Sequence, residues 1–159
     1  PQFTGIRMSP ETIGALSRHS NIAGLKESSG DLAYVRKIVR SARPGFRLLI
    51  GSPVIFLEAL RAGAAGGVLG QADYAPELVV ALYDAFQKRR MKLARDLQQR
   101  LTFLAQNIAA PFGVAGVKAA VEIRGFHGGA PRAPLTPIGR EGRQRITAAI
   151  REAMRGLDA

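Results

Sequence analysis

Residues 21–51, NIAGLKESSGDLAYVRKIVRSARPGFRLLIG, read as strand, helix, strand. IAGL is an apolar stretch of strand length. Ser28, Ser29, Gly30 and Asp31 close it and supply a helix cap. Leu32, Val35, Ile38 and Val39 recur at helical spacing over about 31–42 and give that helix one apolar face. Ala42-Arg43-Pro44-Gly45 is a turn, and FRLLIG, 46–51, is a second strand. A buried strand that returns through a helix to another buried strand predicts a parallel sheet with right-handed crossovers.

The alternation extends both ways. Ser9-Pro10-Glu11 starts a helix, with Ser as N-cap, Pro at the first helical position and an acid near the positive helix end. Ile13, Leu16 and the stem of His19 give that helix its apolar face, and it ends before Asn21. Downstream, Ser52-Pro53 opens a helix, VIFLEALRA, that Gly63 ends. GGVLG, 66–70, is a third short strand, and Ala75-Pro76-Glu77 starts a helix to about Lys88. Strands then stop. Residues 90–108 form a long amphipathic helix, and PFGVAGVKAAVEIRG, 111–125, is a second, Ala-rich one. HGGAPRAPLTPIG, 127–139, is too rich in Pro and Gly to be regular. REGRQRITAAIREAMRG, 140–156, is a final basic helix. The expected organisation is an α/β part over 1–89 and an all-helical domain over 90–159.

Composition narrows the class. The chain has 159 residues, 47% of them hydrophobic and 22% charged, an ordinary globular balance. It has no cysteine, which excludes disulfides, thiolate metal sites and a cysteine nucleophile and fits an intracellular protein. His19 and His127 are far apart and neither has a second ligand at helical spacing, so no metal site is predicted. No apolar run approaches the ~20 residues of a membrane span. The start, PQFTGIRMSP, has neither the basic region nor the apolar core of a signal peptide, and a cytoplasmic location is expected. Pro1 at the first position, and Thr4-Gly5 reading as the tail of a turn, predict a piece of a longer protein.

The net charge of +11 raises the question of nucleic acid. The basic residues are spread along the chain. The densest run, QKRRMKLARDLQQR at 87–100, reads as a solvated helical face, and no aromatic residues interleave it for base stacking. No nucleic-acid partner is therefore expected. A basic binding module through 87–100 and 140–155 stays the rival class, and steep salt dependence of binding would mark it.

Lysine is scarce: Lys26, Lys37, Lys88, Lys92 and Lys118 stand against many arginines. Lys37, Lys88 and Lys92 lie among other charges. Lys26 follows IAGL directly, as the last residue of the first strand. Strand alternation points Ile22, Gly24 and Lys26 one way and Ala23 and Leu25 the other. The carboxyl end of a parallel strand is where active sites of such folds lie. A lysine rooted among apolar neighbours loses solvation and its pKa falls. Such an amine attacks a ketone to form a Schiff base. The pattern alone leaves open a strand-end lysine that reaches solvent, or that pairs with Glu27 or Asp31.

NIAGLKESSGD resembles the Schiff-base lysine segment of the dihydrodipicolinate synthase / N-acetylneuraminate lyase family. Three further segments, in the family's order, carry the same resemblance. PQFTG at 1–5 is similar to the end of a Tyr-Asn-x-Pro-x-x-Thr-Gly stretch. GAAGGVLG is similar to the last barrel strand, and PFGVAGVKAAVEIRGFHGGAPRAPLTPI to the C-terminal helical domain. The resemblance implies a class I pyruvate aldolase or lyase on a (β/α)₈ TIM barrel, commonly a homotetramer, with no metal or other cofactor. It covers nearly the whole chain but implies only about barrel strands six to eight and the tail.

Carried over residue by residue, Lys26 takes the Schiff-base role. Gly51 and Val68 take positions lining the pyruvate pocket, and Ser52 a place beside the substrate. The plain alternatives are barrel packing for Gly51 and Val68 and a helix N-cap for Ser52. Glu27 reads as a solvent-facing neighbour. Tyr34, Tyr74 and Tyr83 do not match the family's proton-relaying tyrosine, which would precede Pro1, as would the loop that binds the keto-acid carboxylate.

Two positions bear on substrate. Phe3 stands where dihydrodipicolinate synthases carry an arginine. Ser52-Pro53-Val54 stands where sialic acid lyases carry acids suited to a polyol. Gly51-Ser52, GAAGGVLG and GGAPRAPL look most like 4-hydroxy-2-oxoglutarate aldolases, which cleave a hydroxy-keto acid to pyruvate and an aldehyde. The alternatives are the dihydrodipicolinate synthase condensation of pyruvate with aspartate semialdehyde, and a non-catalytic remnant that oligomerises through its helices.

Overall fold

The two apolar stretches that frame residues 21–51 pair in parallel. The structure, a computed structural model, describes residues 5–157. Strand β1 (Gly24–Glu27) lies beside β2 (Arg47–Ile50), and β2 beside the short β3 (Gly66–Gly67), in the order β1-β2-β3. Both pairings are parallel. The crossovers are α2 (Leu32–Ser41) and, after a 3₁₀ turn at Pro53–Ile55, α3 (Phe56–Arg61). Helix α1 (Pro10–Ser17) precedes the sheet. This is the α/β pattern of part of a (β/α)₈ barrel.

The strands are shorter and differently placed than the apolar runs. The first begins two residues after Ile22 and runs one residue beyond Lys26. Ile22 is still in a turn, its N–H donating to the His19 carbonyl at 3.1 Å. The third strand covers only Gly66–Gly67, although Val68 N–H still donates to the Ile50 carbonyl at 2.8 Å. The α1 face also differs from expectation. Leu16 is 41% exposed, and Ile13, Gly14 and Ser17 are buried instead. The reason is a close approach of α1 to α2. A Cβ on Gly14 would stand 2.7 Å from the Ser41 carbonyl oxygen, so the helix turns its small residues inward. Ser17 Oγ then accepts the Arg43 N–H at 2.9 Å.

Helix α2 begins as the sequence predicts. Asp31 caps it, accepting the Tyr34 N–H at 2.9 Å, and Val35 and Ile38 are fully buried. Arg7 joins this cap, 2.9 Å from Asp31 and 4.0 Å over the Tyr34 ring. The Tyr34 N–H, and then Arg7, hold the Asp31 carboxyl below the usual carboxylate range. A depressed acid contributes stability that is present above its unfolded pKa and lost as pH falls through the folded value. Asp31→Ala should therefore lower the thermal midpoint at neutral pH. It should also flatten the midpoint's dependence on pH below about 4. An unchanged acid limb would show that the cap carries no linkage.

The described chain forms two compact units that part between Leu69 and Gly70. The second is helical. Helix α4 (Pro76–Gln87), which the sequence reading places with the α/β part, packs on α5 (Met91–Leu104). A π-helical turn, Ala105–Ala109, leads on to α6 (Ala110–Ile123), and α7 (Arg140–Met154) packs against α5 and α6. The long helix expected over 90–108 thus ends in a π turn just before Pro111. Leu78, Leu82, Leu97, Leu101, Leu104, Ile108 and Ile146 are fully or almost fully buried and form this unit's core. Lys118 Nζ donates to the Gly128 carbonyl at 2.6 Å and fastens the irregular segment that precedes α7. No helix among the described residues is long and apolar enough to cross a membrane.

Candidate active site

The ladder register places the candidate residues. Lys26 pairs with Leu49, and Leu49 with Gly66; Glu27 pairs with Ile50, and Ile50 with Gly67. Paired residues of a parallel sheet share a face, and the face alternates along each strand. Gly24, Lys26, Arg47, Leu49 and Gly66 therefore lie on one side. Leu25, Glu27, Leu48, Ile50 and Gly67 lie on the other. The second side is buried along its middle: Leu48 is 3% exposed, Ile50 0% and Glu27 6%. Phe56 of α3 covers it, close enough that a Cβ on Gly67 would stand 2.8 Å from the ring.

Lys26 occupies the open side and is exposed. Its face is the open face of the described sheet. Of the plain alternatives for Lys26, reach into solvent agrees with this exposure, and a pair with Glu27 or Asp31 is not among the ion pairs of the described residues. Asp31 is paired with Arg7, and Glu27 points to the opposite face.

Gly51 extends β2 by one residue. Its N–H donates to the Glu27 carbonyl at 2.6 Å. A Cβ there would stand 2.1 Å from Ser28 Oγ and 2.8 Å from Lys26 Cε. The glycine keeps open the space into which both side chains reach. Lys26, Ser28 and Gly51 are thereby brought together at the carboxyl ends of β1 and β2. Val68 returns to the same side by alternation from Gly66 and is 51% exposed. Ser52 precedes the 3₁₀ turn without a side-chain capping hydrogen bond. Its Oγ stands against Gly30, 3.3 Å from where a Cβ would be. Gly30 has φ +76°, a conformation that favours glycine.

The sequence reading of Glu27 is corrected here. It is buried, not solvent-facing, because β1 runs through it and the pleat turns it inward. Its Oε1 accepts the Ser29 N–H at 2.6 Å, and its Oε2 is buried without a hydrogen-bond partner among the described residues. Ser28 was not singled out from sequence. Its signal is simple: it stands two residues after Lys26 and shares its face.

The model of the dihydrodipicolinate synthetase family matches residues 1–153. The chain belongs to that family. A 4-hydroxy-tetrahydrodipicolinate synthase of Archaeoglobus fulgidus is 32% identical over 158 residues, covering 99% of this chain and 53% of the relative. An uncharacterized DapA-like lyase of Halobacterium salinarum is 36% identical over 148 residues, 93% of this chain and 48% of its own. A solved putative dihydrodipicolinate synthase from Thermus thermophilus is 34% identical at a TM-score of 0.84, over 96% of this chain and 54% of that one. The dihydrodipicolinate synthase of Bacteroides thetaiotaomicron superposes at a TM-score of 0.87 with 28% identity, over 96% of this chain and 53% of that one. The chain thus spans about half the length of the relatives it matches. The stretch expected to match the family's Thr-Gly motif falls at 1–5, where only Gly5 is described, and Phe3, expected to bear on substrate, lies outside the described residues.

Proposed function

We propose that Lys26 is the Schiff-base lysine of a class I aldolase or lyase that acts on pyruvate-type 2-keto acids. One observation carries the reading: in a chain of this family, Lys26 meets Ser28 and a space kept open by Gly51, at the carboxyl ends of two parallel strands. The free amine adds to the C2 ketone, and loss of water with uptake of one proton from solvent gives the iminium. That cation draws electrons from C3. In the cleavage direction the C4 hydroxyl loses its proton, the C3–C4 bond breaks, and an aldehyde leaves. The enamine takes a proton at C3, and hydrolysis returns pyruvate and the free lysine. Ser28 offers a hydroxyl next to the amine. Gly51, Ser52 and Val68 are the proposed substrate contacts, and a further copy of the chain is the proposed partner.

Residues in this chain look most like those of a 4-hydroxy-2-oxoglutarate aldolase. Many relatives are named 4-hydroxy-tetrahydrodipicolinate synthases, which favours the condensation of pyruvate with aspartate semialdehyde as the second reading. The test has two stages. Borohydride trapping with pyruvate, read by intact-protein mass spectrometry, should give a single adduct. Assays for 4-hydroxy-2-oxoglutarate cleavage and for condensation then separate the two readings. A folded chain that gives no adduct would overturn the imine proposal for this chain.

A further inference from the structure

We infer that Glu27 is a positioning residue for Lys26, its buried carboxylate fixing the turn that carries Ser28. The inference rests on the Schiff-base reading and deepens it. Glu27 holds the end of the sheet at two points. Its carbonyl accepts the Gly51 N–H at 2.6 Å, and its Oε1 accepts the Ser29 N–H at 2.6 Å. Ser28 is strung between these two anchors. Its Oγ fills the space above Gly51, where Lys26 Cε also lies. The Glu27–Ser29 bond therefore decides how far the Ser28 hydroxyl stands from the lysine.

Burial alone would place a different residue here. Glu27 is 6% exposed and lies opposite Ile50, which is fully buried. Its Oε2 meets no partner among the described residues. A buried polar atom without a partner is unfavourable, and an apolar side chain of similar size removes that cost. The one hydrogen bond the side chain does make goes to the turn beside Lys26. Placement of that turn is what the carboxylate supplies and a leucine does not.

The experiment compares Glu27→Gln, Glu27→Leu, Ser28→Ala and the Glu27→Leu/Ser28→Ala double variant. It reads borohydride-trapped pyruvate at several pyruvate concentrations, Ser29 amide exchange and the thermal midpoint. Glu27→Leu should slow trapping on the order of tenfold at saturating pyruvate, as expected for a displaced neighbouring group. It should speed exchange of the Ser29 amide and leave the midpoint equal or higher. Glu27→Gln keeps an acceptor for Ser29 and should stay within about twofold of the parent chain. In the Ser28→Ala background the Glu27→Leu effect should vanish, since the two act as one unit. A Glu27→Leu loss of equal size with and without Ser28, or a glutamine variant as slow as leucine, would overturn the inference. A parent chain that traps no pyruvate would sink the Schiff-base reading instead. Ser29 exchange then still decides whether Glu27 holds the turn, and an amide indifferent to Glu27→Leu would show that it does not.

Discussion

Lys26→Ala should reduce pyruvate trapping to the background of surface lysines, a loss on the order of 10²-fold or more, the scale of one positioned catalytic group. The other lysines differ in setting. Lys88 pairs with Asp84 at 3.6 Å, and Lys118 donates to the Gly128 carbonyl. Lys37 lies beside the Arg7–Asp31 pair. Among the described lysines, Lys26 alone has its side chain inside contact distance of where a glycine Cβ would be, its Cε 2.8 Å from that point on Gly51. Lys26→Arg should fail equally, since a guanidinium stays protonated and is no nucleophile at neutral pH. Lys26 is exposed, so either variant should hold its stability within about 0.5 kcal/mol. Loss of the adduct is then a chemical effect, not an unfolding one. Intact-protein mass spectrometry after borohydride, beside a thermal melt, reads both. An adduct that survives Lys26→Ala would move the reactive amine elsewhere.

Gly51→Ala should be the second large effect. Its Cβ would stand 2.1 Å from Ser28 Oγ and 2.8 Å from Lys26 Cε, well inside contact distance. Both obstacles are side chains, so the ladder between Gly51 and Glu27 survives while Ser28 and Lys26 are pushed aside. Overpacking of this kind costs about 1–3 kcal/mol. A small displacement of reacting groups costs roughly 10²-fold in rate. Trapping should therefore fall far more than the melting temperature. Adding Ser28→Ala removes the nearest clash and should recover part of the stability. Parent-like trapping in a folded Gly51→Ala chain would show that the space beside Lys26 is not used.

The sheet was legible because its signals are local and redundant. Asp31 as cap, Val35 and Ile38 at helical spacing, and the Pro44-Gly45 turn all agree with the structure. Strand ends were less legible, since apolar runs report burial and not hydrogen bonding. IAGL is apolar, yet the ladder is GLKE. That shift of the end past Lys26 is why Glu27 was read as outward and is in fact inward. The α1 face was misjudged at Leu16 because a close approach through Gly14 depends on where Ser41 lies in space, which spacing along the chain does not encode. Lys26 stood out by scarcity and position. Gly51 was named through family resemblance alone. Ser28 and the dry setting of Glu27 needed the pleat to be drawn correctly.

The opposition of Lys26 and Glu27 across β1 also acts as a proofreading device for strand registration. A slip of β1 by one residue would exchange the two faces. The ammonium would enter the layer that holds Ile50 and Phe56, and the acid would leave it. Glu27 in that layer accepts the Ser29 N–H, whereas a lysine placed there would bury its charge beside Ile50 and Phe56 with no partner. The penalty is therefore lopsided, and it falls on the wrong alignment. Four residues, Gly24–Glu27, are few to specify an alignment through shape alone. Here a single pair of opposite charges, one residue apart, tells the chain which way up the strand must lie.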